Sequence, residues 1–142
     1  MENILVSACL LGVCCRYDGS AKPNENVIKL KEKYNLIPVC PEVLGGLKIP
    51  HSPSEIQNEK VISKNGEDVT KYFKCGAEKV LETAFKNNCK KAVLKSKSPS
   101  CGTDFVYDGT FCGKLIKGTG VTAKLLLKHN IKLTDENNLS NL

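Results

Sequence analysis

Eight cysteines mark this chain of 142 residues, and three of them, Cys9, Cys40 and Cys101, fall close to glycine or proline in stretches that read as loop. Thiolates are soft ligands, so three that converge would suit an iron–sulfur cluster or zinc rather than a hard cation. No C-x-x-C pair occurs, which argues against a zinc ribbon, a thioredoxin-like redox pair and a ferredoxin run. Three separated thiolates leave one coordination position open, as a catalytic metal needs for substrate or water. Cys75 and Cys89, in or just past a helical stretch, and Cys112 read instead as small buried hydrophobes. The neighbours Cys14 and Cys15 stay open between an alternative ligand pair, a thiol relay and no role.

Other reactive groups gather near these cysteines. Glu42, two positions after Cys40, would stand close to a metal there and could act as a general base. Asp18 follows Arg16 and Tyr17 in the first loop, as a second carboxylate. Ser98 and Ser100, with the amides around Cys101 and Gly102, could donate hydrogen bonds to cluster sulfur or to substrate. Of the two histidines, His51 between Pro50 and Pro53 reads as a polar loop residue, and His129 as a helix C-cap.

The elements must explain how such distant positions meet. Ile4 to Ala8, Leu36 to Cys40, Ala92 to Leu94 and Ile131 to Leu133 read as short buried strands. Glu25 to Tyr34 reads as a short amphipathic helix. Thr70 to Asn88 is the longest helix, with Phe73, Ala77, Val80, Leu81 and Ala84 as its apolar stripe, and Val121 to Lys128 is the last. Asn65-Gly66 marks a hairpin turn between Val61-Ile62 and Val69. Tyr107 to Thr110 and Gly118 to Gly120 read as turns, and residues 136–142 as a frayed tail. Alternating strands and helices imply one α/β domain over 1–142 in three layers, with a mostly parallel sheet, helices on both faces and a small hairpin insertion. Cys9, Cys40 and Cys101 then lie at the C-terminal ends of parallel strands, the edge where open sheets bind ligands.

Bulk properties narrow the classes further. Composition is 41% hydrophobic and 25% charged, ordinary for a globular protein, and at this length about two thirds of the surface can be buried. The net charge of +6 comes from 21 Lys and Arg. They are scattered, as at Lys29, Lys31 and Lys33, which suits a solvated face better than a nucleic-acid patch. No apolar run approaches the roughly 20 residues that span a bilayer. The start reads as a first strand and not as a signal peptide, so the cytoplasm is expected, where cysteines bind metal or do chemistry more often than they pair.

Taken together, Val6-Ser-Ala-Cys9-Leu-Leu-Gly, Arg16-Tyr-Asp-Gly19, Cys40-Pro-Glu42 with Gly45-Gly46, Pro50-His-Ser-Pro53-Ser-Glu55-Ile56 and Lys95-Ser-Lys-Ser-Pro-Ser-Cys101-Gly102 resemble the thiouracil desulfurase family. The resemblance covers nearly the whole chain. It implies an α/β enzyme that holds a [4Fe–4S] cluster through Cys9, Cys40 and Cys101, with a fourth iron free to bind the sulfur of a thiolated base such as 2-thiouracil. Glu42 would activate the attacking water, Ser98 or Ser100 would orient base or water, and Asp18 would assist in substrate binding or proton transfer. Uracil and sulfide would result without net redox change. Oxygen destroys such clusters, so aerobic handling is expected to leave the site empty or filled with zinc. One departure is His51, where the family more often carries Arg; Cys14 is another. The competing classes are a metal-free persulfide carrier or thiol transferase working through Cys101, and a non-catalytic iron–sulfur or zinc binding module.

Overall fold

The alternation of side chains along β1 (Glu2–Ser7) divides the protein into two cores. Leu5 points into one, Ile4 and Val6 into the other, and all three are fully buried. β1 is the centre of a four-stranded sheet ordered β2-β1-β5-β8, where β2 is Tyr34–Val39, β5 Lys91–Leu94 and β8 Lys132–Asp135. Every pairing in it is parallel, with Ile4 opposite Leu36, Val6 opposite Val93, and Ala92 opposite Leu133. β2 is an edge strand, which is why Pro38, with no N–H to donate, is tolerated there. The computed structural model describes all 142 residues.

One face of the sheet is covered by α3 (Thr70–Lys86) and α4 (Val121–Lys128), whose Val80, Ala84, Ala123 and Leu126 pack on Leu5, Ala92 and Leu94. The other is covered by short pieces: the turn Ala8–Leu11, α1 (Glu25–Ile28) and the chain end, where Leu139 and Leu142 pack against the same cluster as Val6 and Val93. The architecture is thus the expected α/β arrangement with helices on both faces. The expected helix from Glu25 to Tyr34 is shorter. Asn24 caps it, accepting the Val27 N–H at 3.1 Å, but the chain tightens into a 3₁₀ turn over Lys29–Glu32 because Tyr34 already pairs with Glu2 in the sheet.

The regular hairpin also lies elsewhere. β3 (Ser54–Gln57) pairs with β4 (Lys60–Ser63) around Asn58 and Glu59, both at positive φ (47° and 68°), the turn that matches strand twist. The Asn65-Gly66 turn exists, but its return is a single bridge from Ile62 to Asp68. A second hairpin, β6 (Phe105–Tyr107) with β7 (Leu115–Lys117), is not apparent from periodicity because its strands are three residues long. The segment after Cys40 is not wholly irregular either: α2 (Pro41–Leu44) forms one turn of helix there. α2 crosses α3 at the closest possible distance, since a Cβ on Gly45 would collide with the Tyr72 carbonyl and one on Gly76 with the Pro41 carbonyl. No helix is long and apolar enough to cross a membrane.

Candidate active site

The C-terminal ends of β1, β2 and β5 open on one cavity of about 410 Å³, and Cys9, Cys40 and Cys101 all line it. It lies where the strand order reverses around β1, the expected position for a ligand in an open parallel sheet. Each cysteine is held by a different local device. Cys9 sits in the 3₁₀ turn that ends β1, where its carbonyl accepts the N–H groups of Gly12 and Lys22. Cys40 is the N-cap of α2. Cys101 is fixed by Ser98, whose Oγ accepts the N–H groups of Ser100 and Cys101 at 3.0 Å each. Gly120 packs so tightly behind this loop that a Cβ there would meet the Ser100 carbonyl and the Cys101 nitrogen.

The thiols differ electrostatically. Burial pushes Cys9 up to about 11, although the Lys95 charge pulls the other way. Burial likewise pushes Cys101 up to about 12, against a hydrogen bond from Ser7. Cys40 is lowered to about 7, first by its hydrogen bond with the Cys15 thiol and further by the Val43 and Glu42 amides at the start of α2. As a thiol, Cys40 can instead donate to the Cys15 carbonyl at 3.5 Å. Cys15 is therefore a fourth sulfur at the cavity, held protonated by the same contact. Side chains of consecutive residues diverge here, so Cys15 is buried while Cys14 is exposed. Of this pair, left open between ligand, relay and no role, only Cys15 is at the site.

The donor set fits a cluster better than a lone ion. No three His, Cys, Asp or Glu side chains stand close enough to share one metal ion, whereas a tetrahedral zinc site needs its sulfurs about 3.8 Å apart. Three thiols spread around a cavity suit a larger thiophilic group. Loading it must displace the protons that burial holds on Cys9 and Cys101.

Among the expected catalytic residues, Glu42 and Ser98 line this cavity. Ser100 does not: it is fully buried behind the loop, with its hydroxyl 3.0 Å from that of Thr122. Asp18 is exposed and its Oδ1 binds the N–H and hydroxyl of Ser20, which closes its own turn and holds the carboxyl below its ordinary range. Its neighbours Arg16 and Tyr17 do line the cavity.

Four further residues, His51, Lys95, Glu136 and Ser7, take places at the site that the sequence reading did not assign to them. His51 stands behind Glu42, with Nε2 3.2 Å from Glu42 Oε1; the angle makes this a close ion pair and not an aligned hydrogen bond. Lys95, on the cavity wall, pairs with Glu136 at 3.0 Å. Burial alone would raise the Glu136 carboxyl, but the Ser96 N–H and Lys95 bring it below its ordinary range. Ser7 Oγ accepts the Lys95 N–H at 2.9 Å, tying together the strand ends that carry Cys9 and Cys101. The motif residues Ser7, His51 and Lys95 were visible in the sequence, but Glu136 carries no sequence signal, being linked to Lys95 only by the pairing of β8 with β5.

Comparison with known proteins gives the family and the fold. The family model described as 2-thiouracil desulfurase matches residues 4–138. The chain is 42% identical to YbbK of Bacillus subtilis (strain 168), over 98% of this chain and 99% of that protein. It superposes on the solved structure of the [4Fe-4S]-dependent thiouracil desulfidase TudS with a TM-score of 0.95 and 41% identity, covering 100% of this chain and 95% of that one.

Proposed function

The chain belongs to the 2-thiouracil desulfurase family, and from that membership we propose that it is an iron–sulfur-dependent desulfurase acting on a thiolated nucleobase such as 2-thiouracil. The reaction is hydrolytic: 2-thiouracil and water give uracil and hydrogen sulfide, with no electron transfer. The observation that carries this reading is the convergence of Cys9, Cys40, Cys101 and Glu42 on one cavity large enough for a cluster and a small base.

Cys9, Cys40 and Cys101 would hold a [4Fe–4S] cluster, which supplies an iron without a protein ligand, a thiophilic Lewis acid for the thiocarbonyl sulfur and the departing sulfide. The chain's own residues do the rest. Glu42 takes a proton from the water that attacks the thiocarbonyl carbon. His51, 3.2 Å from Glu42 Oε1, orients that carboxylate. Ser98 orients the base or the water: a hydroxyl that accepts two amide N–H groups still has its own hydrogen to donate. Lys95, fixed by Glu136, supplies positive charge beside Cys9 and so favours its thiolate. Asp18 and Ser100 act at one remove, Asp18 by shaping the turn that presents Arg16 and Tyr17, Ser100 by anchoring the Cys101 loop on Thr122.

The whole span 1–142 is read as one desulfurase domain, because the cavity takes walls from Ser7 through Gly113. A reducing compartment such as the cytoplasm suits it, since all eight cysteines are free and a cluster is lost to oxygen. The test is Glu42→Gln in anaerobically reconstituted protein. Iron content should match the wild type while sulfide release from 2-thiouracil falls by at least about 10²-fold. Full activity in that variant would remove Glu42 from the reaction.

A further inference from the structure

We propose that the ring of Phe111 is the platform on which the heterocycle of the substrate stacks, an inference that rests on the desulfurase reading above. Phe111 lies in the turn between β6 and β7 and lines the same cavity as Cys9, Cys40 and Cys101. Its φ is 59°, in the left-handed region that a non-glycine residue enters at a cost. Asparagine or glycine would make such a turn with less strain. The position is therefore kept for its side chain and not for its backbone.

The surrounding contacts hold the strain in place. Glu55 Oε1, from β3, accepts the N–H groups of both Gly109 and Phe111, at 2.9 and 3.1 Å. Gln57, two residues along the same strand, donates through Nε2 to the Gly109 carbonyl at 2.6 Å. Gly109 approaches so closely that a Cβ would stand 2.8 Å from the Ile56 carbonyl oxygen. Asp108 N–H closes the turn on the Lys114 carbonyl at 2.9 Å. One hairpin thus clamps the tip of the other, and the clamp fixes where Phe111 sits. The three-residue strands of β6 and β7 would not hold such a turn alone.

This complements the chemistry at the strand ends. Cysteines, Glu42, Ser98 and Lys95 meet the edge of a planar base, where its sulfur and heteroatoms are. None of them offers an apolar surface for its face. An aromatic ring does, and of the three that line the cavity, Tyr17, Tyr107 and Phe111, only Phe111 has no hydroxyl and is held in a left-handed turn; stacking of a base on such a ring is tolerant of ring substituents. The inferred ligand class is a flat six-membered thioamide heterocycle, with the thiocarbonyl toward the cysteines and one face on Phe111.

In cluster-loaded protein, Phe111→Leu should raise KM for 2-thiouracil about 5- to 100-fold while leaving kcat close to wild type, because stacking binds ground and transition states alike. Phe111→Tyr should retain wild-type KM. The chain has no tryptophan, so Phe111→Trp adds one reporter. Its fluorescence should be quenched by uracil, with or without iron, whereas that of Phe85→Trp, on an exposed face of α3, should not. Unchanged KM in Phe111→Leu, or no quenching of Phe111→Trp at saturating uracil, overturns the inference. If wild-type protein releases no sulfide from any thiolated base while the quenching holds, the stacking stands and the reaction assigned above falls.

Discussion

His51 and Glu42 face each other with Nε2 3.2 Å from Oε1, while His51 Nδ1 lies 2.8 Å from the Ser52 carbonyl oxygen. A carbonyl only accepts, so Nδ1 carries a hydrogen. A neutral ring would then turn its unprotonated Nε2 toward a carboxylate. The arrangement favours the imidazolium, and the Glu42 carboxylate holds the His51 proton above its ordinary range against the cost of burial, with help from the Ser52 carbonyl and the Cys40 sulfur. The His51 backbone N–H also donates to the Tyr17 carbonyl at 2.7 Å, which joins this pair to the loop carrying Arg16.

His51 should therefore titrate above about 6.5, the value of an unperturbed histidine. The folded value is raised, so the stability contributed by the pair is present below about pH 6.5 and is lost as pH rises through the folded value. An NMR titration of the His51 ring checks this directly. In Glu42→Gln the midpoint should fall back toward the unperturbed value; a midpoint that does not move would show that the pair does not hold the proton.

Ser98 and Ser100 should separate cleanly. Ser98→Ala removes the acceptor for two amides of the Cys101 loop and a hydroxyl on the cavity wall, and should lower the rate of sulfide release roughly 10²-fold. Ser100→Ala leaves the buried Thr122 hydroxyl without its partner and should cost about 1–3 kcal/mol of stability, read as a lower thermal midpoint, with a smaller effect on rate. Steady-state kinetics and thermal unfolding of both variants measure the split.

The cysteines should divide by position. Cys9→Ser, Cys40→Ser and Cys101→Ser should each lose most of the about four irons expected per chain. Cys75→Ser and Cys112→Ser should keep them, since neither side chain lines the cavity, although Phe111 and Gly113 beside Cys112 do. Iron and labile-sulfide analysis after anaerobic reconstitution decides between these outcomes.

Gly76 offers a test from a distance. It lies on α3, yet a Cβ there would collide with the Pro41 carbonyl, next to Cys40 and Glu42. Gly76→Ala should push α2 outward, cost about 1–3 kcal/mol by overpacking, and reduce iron retention together with thermal stability. A variant with lower stability but full iron content would show that α2 can move without disturbing Cys40.

These cases also show what the sequence made legible. The strands behind Cys9 and Cys101 were visible as apolar runs because each is buried on both faces, and the half-buried edge strand behind Cys40 through Leu36, Ile37 and Val39; parallel strands place their C-terminal ends on one edge. α4 was visible at its full length, Val121–Lys128, from its apolar spacing. The Asn58-Glu59 turn was masked by the stronger Asn65-Gly66 signal, since either residue pair can adopt positive φ and only the partner strand Ser54–Gln57 decides. Within the site, Cys40-Pro-Glu42 was readable because its members are adjacent in sequence. The His51–Glu42 and Lys95–Glu136 pairs were not, as each joins loops whose approach is set by tertiary packing. Asp18 shows the converse: a carboxylate in a suggestive motif whose oxygen closes its own turn.

The most direct measurement is the joint quantification of uracil and sulfide formed from 2-thiouracil by anaerobically reconstituted protein with no reductant present. Hydrolytic desulfuration requires both products in equal amounts from the wild type, and neither from Cys101→Ser. Cluster-loaded wild-type protein that leaves 2-thiouracil intact, or that releases sulfide only when a reductant is added, would contradict it.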